Sequence, residues 1–326
     1  MKITVYGAGA VGGLLAGKLA QKGHEVSVVA RGAHLTAIQK IRLTLASPDG
    51  TRTTVRVRAE SDPGKLGPQD YVIVTVKGQS LPDVAKAIGP LLGPHTVIVT
   101  GLNGVPWWFF DRLPSNAGNF RLESLDPTGE LSRAMPTDRI VGCVIHLAAS
   151  TPQPGVIQHT MGDRLILGEP GAKNTDKTGR IAEALKDAGF EIVRSPFIEK
   201  DFWVKLLGNI SVNPVAALTL ATTDRLLNDP YAKAYMIRIM EECLAIGRAI
   251  GVDADIQPEP RLDMARKLGA FKPSTLQDME AGKSLEIDGL LTGTLELAKK
   301  AGVPAPYTES LMGLIRLRAQ TTGQYR

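Results

Sequence analysis

The stretch KITVYGAGAVGG at residues 2–13 decides the fold of the first half of the chain. It contains a short β-rich run, a glycine-rich turn and the beginning of a helical pattern, and a second β-rich run follows at Glu25–Val29. A GxGxxG motif between a strand and a helix, with a second strand ending about 20 residues further on, is typical of a dinucleotide-binding βαβ unit. The position of the motif between these elements is what makes it specific.

The glycines of this motif have separate physical tasks. Gly7 permits a tight turn, Gly9 lets a pyrophosphate approach the backbone, and Gly12 lets the helix pack closely on the strand. The helix N-terminus presents free N–H groups and the positive end of its dipole to the phosphates. The predicted cofactor contacts of this turn are Gly7, Gly9, Ala10, Val11 and Gly12. The alternative is a glycine-rich turn that binds no ligand.

The residue after the second strand bears on the choice between NAD and NADP. An NAD site has an acid there, which binds the ribose 2′-hydroxyl. Here the run EVSVVA is followed by Arg31, whose guanidinium suits a 2′-phosphate. We therefore predict NADP as the cofactor. The alternative is an arginine that faces solvent.

Strand and helix patterns alternate through the first half, which predicts an α/β fold with a doubly wound parallel sheet of the Rossmann type. Later β-rich runs favour an antiparallel extension of this sheet. These runs are Ile140–Leu147, Gly155–Thr160 and Arg164–Leu167. From Lys200 onward almost all patterns are helical. We expect a dinucleotide-binding domain at residues 1–196 and an all-α substrate or dimerisation domain at residues 197–326.

The helical patterns of the second half cover residues 200–212, 230–250, 259–269, 284–301 and 306–319. Pro214 is expected to end or kink the first of these helices. In the first half, the stretch 118–131 is rich in polar and loop-forming residues and is expected to be an excursion from the sheet.

The composition, 43% hydrophobic and 22% charged, is that of a globular protein and excludes a disordered chain. The net charge of +5 comes from scattered basic residues, so no nucleic-acid partner is expected.

Cys143 and Cys243 fit neither a metal site nor a disulfide framework, and we expect buried free thiols. We find no signal peptide or membrane span and expect a cytoplasmic protein that binds no metal.

Polar residues follow two of the predicted sheet strands, where open α/β sheets bind ligands. Lys77 lies in the run VKGQ and is expected to contact the phosphate or ribose of the cofactor. Asn103 lies in GLNG and is expected to hold the substrate or the nicotinamide end. Either residue by itself could be a solvated loop residue, and their shared position favours a functional role.

The helical run WVKLLGNISVNP, residues 203–214, carries a more informative pattern. Lys205, Asn209 and Asn213 are spaced i, i+4 and i+8, so they share one helix face. A cation and two amides in line among apolar neighbours suit a site for a charged, hydroxylated small molecule. The alternative is a polar face in water. In the later run STLQDMEAGKSLEID, residues 274–288, spacing alone does not choose among four acids.

These motifs together resemble the ketopantoate reductase (2-dehydropantoate 2-reductase) family over nearly the whole chain. The most specific parts are residues 203–214 and the pattern SxLQDxExGxxxEID at 274–288. The resemblance implies that Lys205 is the general acid for the substrate carbonyl oxygen and that Glu286 binds substrate and helps position Lys205. It also implies substrate contacts from Asn103, Asn209, Asn213 and Ser274, and cofactor contacts from Lys77 and Asn103.

The implied activity is NADPH-dependent reduction of a 2-oxo acid to a 2-hydroxy acid, with ketopantoate and pantothenate synthesis as the leading assignment. Two stretches depart from the family pattern: the aromatic run VPWWFF at 105–110, and GLLT at 289–292, which lacks an asparagine found in many members. They leave open an alternative, a reductase for a bulkier 2-oxo acid. Core packing or an oligomer contact is our preferred interpretation of the aromatic run. A third hypothesis is a non-catalytic NADP-binding redox sensor. A homodimer is compatible with the sequence.

Overall fold

The computed structural model describes residues 1–115, 120–173, 175–267 and 269–325. The chain divides into two compact units. The first comprises Met1–Leu102 and Thr128–Ile198, and the second comprises Asn103–Pro127 and Glu199–Arg326.

The stretch 103–127 thus belongs to the helical unit, although it precedes the other helical residues in the sequence by many positions. Part of the predicted excursion at 118–131 lies in this stretch, and its residues Gly118 and Asn119 lie outside the described residues. Among the described residues, Glu296 anchors the stretch by accepting hydrogen bonds from the backbone N–H groups of Glu123 and Ser124, at 2.7 and 2.9 Å.

The described part of the first unit contains a ten-stranded sheet. Its strands are β1 Lys2–Tyr6, β2 Glu25–Val29, β3 Leu43–Ala46, β4 Arg52–Val55, β5 Arg58–Glu60, β6 Gln69–Val74, β7 Leu92–Thr100, β8 Ile140–Gln153, β9 Val156–Gly168 and β10 Glu191–Arg194. The order is β4-β3-β9-β8-β7-β6-β1-β2-β5, with β10 beside β9. From β8 to β5 every neighbouring pair is parallel. These strands therefore have the 3-2-1-4-5-6 order of dinucleotide-binding sheets.

The predicted antiparallel extension is formed by the long pair β8 and β9. The two short strands expected at Gly155–Thr160 and Arg164–Leu167 are in fact one strand, so that detail of the prediction was wrong. The residues between them include Gly162, which has a φ of 70°. The pairing with β8 shifts register between His146 and Ala148, and this bulge accommodates the irregularity without ending the strand.

Helices α1 Ala10–Gln21, α2 Gly32–Ile41, α3 Leu81–Ala87, α4 Glu130–Ala134 and α5 Gly179–Asp187 complete the first unit. Helix α1 starts directly after the glycine turn and buries Leu14, Leu15 and Leu19 in the core of this unit. The C-terminal ends of β1 and β2 and the N-terminus of α1 therefore lie at the same edge of the sheet, as the βαβ prediction requires.

The second unit is built from helices α6 Ile198–Thr219, α7 Thr223–Asn228, α8 Pro230–Ala249, α9 Pro258–Arg266, α10 Ser274–Glu280, α11 Gly293–Ala301 and α12 Pro306–Thr321. Pro214 does not end the first of them, because α6 continues to Thr219. Of the two effects predicted for this proline, the end of the helix is therefore wrong and the kink stays a prediction. The helix expected from residue 284 begins later, with a π-helical turn at Asp288–Thr292. The Leu285 N–H bonds to the Gln324 carbonyl, 3.0 Å away, instead of joining a helix.

The predicted fold class, a Rossmann-type sheet with an antiparallel extension and a helical second half, is confirmed. Cys143 and Cys243 are free and buried, as expected. Burial raises the pKa of the Cys243 thiol far above its ordinary value, so it stays protonated. Within the described ranges, no helix has the length and apolar character needed to cross a bilayer.

Candidate active site

In the glycine turn of the first unit, Gly7, Gly12 and Thr75 lie so close together that side chains are excluded at the two glycines. Gly7 has a φ of 102°, and its carbonyl accepts a hydrogen bond from Thr75 Oγ1 at 3.0 Å. A Cβ atom at Gly12 would lie 2.1 Å from the Gly7 carbonyl oxygen and 2.3 Å from Thr75 Oγ1. A Cβ atom at Gly9 would meet no protein atom within 4 Å. Gly12 is therefore required for packing within the protein, whereas the space above Gly9 is open.

A cavity of about 360 Å³ opens beside this turn and lies within the first unit. Its walls include the turn Gly7–Gly9, the end of β2 with Arg31, and His34 of α2. This volume falls in the range of small-molecule sites. An open backbone at a helix N-terminus, an adjacent cavity and a cation at its wall fit the phosphates and adenosine end of a dinucleotide.

Arg31 lies at the edge of this cavity and is largely exposed. Its Nη1 atom is 3.3 Å from Oδ2 of Asp83, the acid in the first turn of α3. Tyr6 lines the same cavity. Burial raises the pKa of Tyr6, and the nearby Arg31 guanidinium partly offsets this effect. Asp83 was not singled out from the sequence, because nothing in the spacing connects it with Arg31, 52 residues away.

His34 is a second wall residue that the sequence analysis missed. Its Nδ1 atom accepts a hydrogen bond from the N–H of Gly155, 3.0 Å away, in the turn between β8 and β9. That bond requires the unprotonated Nδ1 atom. Burial lowers the pKa of His34, with a smaller opposing effect of the Ala8 backbone. The ring thus connects α2 and the sheet extension at the wall of the cavity.

The His34–Gly155 bond predicts a pH dependence of stability. The unfolded chain takes up a proton at His34 near the ordinary pKa of about 6.5, before the folded protein does. Stability should therefore fall as the pH drops below that value, and this group contributes no slope above it. We expect wild type to lose a few degrees of Tm between pH 7.5 and pH 5.5 relative to His34→Asn, which keeps an acceptor but does not titrate. Equal losses in both proteins would contradict this role.

Lys77 follows β6 and is the residue before the 3₁₀ turn Gly78–Ser80. Its neighbour Val76 and the nearby Ser80 both line the cavity of the first unit. The prediction that Lys77 contacts the cofactor is therefore compatible with its place in the chain and remains a prediction.

The second unit brings together three of the predicted site residues. The Lys205 ammonium donates a hydrogen bond to Oδ1 of Asn103 at 3.1 Å. The Asn103 amide nitrogen in turn lies 3.5 Å from Oε2 of Glu286, at the long end of the hydrogen-bond range. The side-chain amide thus has its oxygen toward the cation and its nitrogen toward the carboxylate. We call this arrangement the Lys205–Asn103–Glu286 chain.

Aromatic packing fixes the helix that carries Lys205. Trp203 is fully buried, and its indole N–H donates to the Cys243 carbonyl at 3.1 Å. Phe109 stacks on Trp203 with ring centroids 5.6 Å apart, and Trp108 meets Phe202 edge-on at 5.4 Å. The aromatic run Trp107–Phe110 is at most 2% exposed. The run therefore packs in the core of the second unit, which is one of the two possibilities that the preferred interpretation named.

A close contact between two backbone segments positions Asn103. Gly104 has a φ of 77°, and a Cβ atom there would lie 2.3 Å from the carbonyl carbon of Gly289. The Val105 N–H donates to the Gly289 carbonyl at 2.7 Å. A Cβ atom at Gly289 would in turn lie 3.1 Å from the Asn103 carbonyl oxygen. Gly289, the first residue of the run 289–292 that departs from the family pattern, thus permits the close contact that brings Asn103 near Glu286.

The remaining predicted residues are placed as follows. Asn209 and Asn213 lie on α6 on the same face as Lys205, about one and two turns further along. Asn213 is 8% exposed. Ser274 is the first residue of α10 and is exposed. No contact of Ser274 with the Lys205–Asn103–Glu286 chain is among the described hydrogen bonds, so its substrate role remains a prediction.

Comparisons with known proteins identify the family of the chain. The family model "Ketopantoate reductase PanE/ApbA" matches residues 3–171, and its C-terminal counterpart matches residues 198–319. A 2-dehydropantoate 2-reductase from Mesorhizobium japonicum is 40% identical over 326 residues, which covers 100% of both chains. The crystal structure of a candidate ketopantoate reductase from Ralstonia solanacearum has a TM-score of 0.94 and 45% identity, covering 99% of each chain.

A more distant structure shares the fold alone. D-mandelate dehydrogenase bound to NADH and anilino(oxo)acetate has a TM-score of 0.85 at 20% identity and covers 99% of each chain. The predicted family and the predicted oxidoreductase class are confirmed by the sequence matches, and membership of this family implies a nicotinamide cofactor. The chain belongs to the ketopantoate reductase family.

Proposed function

We propose that this chain reduces ketopantoate to pantoate with NADPH, and that it works in pantothenate synthesis. The observation that carries the proposal is the Lys205–Asn103–Glu286 chain, because it places a cation, an amide and a carboxylate together on the framework of a ketopantoate reductase. The overall reaction consumes one 2-oxo acid, one NADPH and one proton. It produces one 2-hydroxy acid and one NADP⁺.

The first unit is proposed to hold the cofactor. The glycine turn Gly7–Gly9 and the N-terminus of α1 would contact the pyrophosphate, and Arg31 would contact the 2′-phosphate. When bound, NADPH supplies the hydride for the ketone carbon of the substrate. The assignment of NADP over NAD depends on Arg31, since the end of β2 carries no acid that could bind a ribose 2′-hydroxyl.

The second unit is proposed to hold the substrate and move the proton. Negative charge develops on the carbonyl oxygen during reduction, and the Lys205 ammonium would stabilise it and then donate a proton to that oxygen. Asn103 accepts a hydrogen bond from the same ammonium and thereby orients it. The Glu286 carboxylate compensates the positive charge through the Asn103 amide.

The substrate's polar groups would be bound along α6 and at α10. Asn209 and Asn213 present amides beyond Lys205 on the same helix face, where they can bind a hydroxyl group. Ser274 is proposed to bind the substrate carboxylate, with its hydroxyl at the N-terminal end of α10. These roles explain why amides stand among buried apolar residues of this helix such as Leu206, Ile210 and Val212.

Ketopantoate is preferred over a bulkier 2-oxo acid because both departing runs pack in the core of the second unit. Trp107–Phe110 are at most 2% exposed, and Leu290 and Leu291 are 3% and 0% exposed. Comparing kcat/KM for ketopantoate and a panel of bulkier 2-oxo acids tests this preference. The highest value for ketopantoate would support it, and a higher value for a bulkier acid would transfer the proposal to that substrate. A redox sensor without turnover needs no proton donor, so the Lys205–Asn103–Glu286 chain favours an enzyme over a sensor.

Replacing Arg31 with alanine is expected to weaken NADPH binding much more than NADH binding. A lost hydrogen-bonded ion pair of this kind costs on the order of 1.5–3 kcal/mol, which is about tenfold to a hundredfold in Kd. Asp83→Asn is the matched control, because it removes the carboxylate that competes for the guanidinium and should leave NADPH binding equal or tighter. Kd values from fluorescence titration check both. An equal loss for the two cofactors in Arg31→Ala would refute the 2′-phosphate assignment.

A further inference from the structure

The residues after α12 turn back onto the segment that carries Glu286. Gly323 adopts a left-handed conformation with a φ of 71°, and its N–H donates to the Gln320 carbonyl at 3.0 Å. The Gln324 N–H donates to the Ala319 carbonyl at 2.7 Å. This pair of bonds is a Schellman motif, which ends a helix and reverses the chain direction. It directs Gln324 and Tyr325 away from the helix axis.

The Gln324 side chain is 4% exposed and is surrounded by backbone carbonyls. Its amide nitrogen lies 3.0 Å from the carbonyl of Asp278, 3.3 Å from that of Met279 and 2.8 Å from that of Lys283. Its own backbone carbonyl accepts the N–H of Leu285 at 3.0 Å. Gln324 therefore holds the turn between α10 and Glu286 by hydrogen bonds at its start, to Asp278 and Met279, and at its end, to Lys283 and Leu285.

Tyr325 fixes the other side of Glu286. Its hydroxyl donates to Oδ1 of Asp288 at 2.6 Å, and the same oxygen accepts a bond from the Thr292 hydroxyl at 2.9 Å. Burial, together with the bond to Asp288, raises the pKa of Tyr325 to about 12. The hydroxyl therefore keeps its proton and remains a donor at neutral pH. Asp288 begins the π-helical turn that follows Glu286.

We propose that Gln324 and Tyr325 are positioning residues, which hold Glu286 at the place where it meets Asn103. The inference rests on the reductase function proposed above. Glu286 lies between α10 and the π-helical turn, so no regular helix sets its position. Its separation from the Asn103 amide, 3.5 Å, is already at the limit of a hydrogen bond. A small displacement of this segment would break the Lys205–Asn103–Glu286 chain.

The test is the kinetics of Gln324→Ala with ketopantoate, well below the Tm of each protein. We expect kcat/KM to fall by about tenfold to a hundredfold, since misplacement of a site residue by about 1 Å has an effect of this size. The Kd for NADPH should not change, because the cavity of the first unit is untouched. Gln320→Ala is the matched control: it is exposed on α12, and its bond to Gly323 uses only the backbone. Its kinetics should equal those of wild type.

A double-mutant cycle separates positioning from a general loss of stability. If Gln324 acts through Glu286, then adding Gln324→Ala to Glu286→Gln should cause no further loss of kcat/KM. Tyr325→Phe removes a single oxygen atom and is the variant least able to prevent folding, and its loss should vanish in the same background.

Additive losses in this cycle, or wild-type kinetics in both Gln324→Ala and Tyr325→Phe, would overturn the inference and leave the proposed function intact. A wild-type protein that reduces none of the 2-oxo acids would overturn the proposed function, and the inference with it.

Discussion

Replacing Lys205 with alanine is expected to lower kcat for ketopantoate reduction by about 10²–10⁴-fold, while the Kd for NADPH stays near the wild-type value. The change removes both the cation that stabilises the developing oxyanion and the proton donor. It also leaves Asn103 Oδ1 without its donor at 3.1 Å. Steady-state kinetics and a fluorescence titration with NADPH measure the two quantities on the same preparation.

Lys200→Ala is the matched control for this variant. Lys200 lies on the same helix α6 and is exposed, so its loss removes the same charge without touching the Lys205–Asn103–Glu286 chain. Its kcat should equal that of wild type. Near-normal turnover in Lys205→Ala would exclude Lys205 as the proton donor, and an equal loss in both variants would point to a nonspecific effect of charge.

Adding one methyl group to the glycine motif should weaken only cofactor binding at Gly9, whereas at Gly12 it should also destabilise the fold. Gly9→Ala is expected to leave the Tm unchanged, because its Cβ atom would meet no protein atom within 4 Å and its φ of −65° suits alanine. The methyl group would instead occupy the space into which a pyrophosphate must come. We expect the Kd for NADPH to rise at least about tenfold, or 1.4 kcal/mol.

Gly12→Ala should act on the fold itself. Its Cβ atom would lie 2.1 Å from the Gly7 carbonyl oxygen, so α1 must move away from the turn. Overpacking of this kind costs about 1–3 kcal/mol, and the Tm should fall together with cofactor binding. Thermal melts and NADPH titrations of both variants check the contrast. A Gly9→Ala protein that binds NADPH as wild type does would contradict the proposed phosphate site.

Much of the fold could be predicted because local patterns determine it. The strand, glycine turn and helix of residues 2–13 are contiguous, so their types and order can be read from the local pattern, although β1 also pairs with the distant strand β6. The i, i+4, i+8 spacing likewise placed Lys205, Asn209 and Asn213 on one helix face. Pro214 does not end α6, which was one of its two predicted effects, because the buried apolar residues Val212, Val215 and Ala216 keep the helix continuous to Thr219.

The parts that could not be predicted depend on contacts between distant residues. Lys205 and Asn103 are 102 positions apart, and Asn103 and Glu286 are 183 apart. Spacing gave no reason to choose Glu286 among the acids of its segment, and only the family resemblance singled it out. The bond from Gly155 to His34 spans 121 positions. No local pattern records such pairings, since they arise only when the elements pack.

The most direct test of the central claim is to follow NADPH absorbance after adding ketopantoate to the wild-type protein and to measure the pantoate formed. The proposed function predicts loss of NADPH that depends on both enzyme and ketopantoate, with one pantoate formed for each NADPH consumed. No ketopantoate-dependent loss of NADPH, or loss without pantoate, would contradict the account.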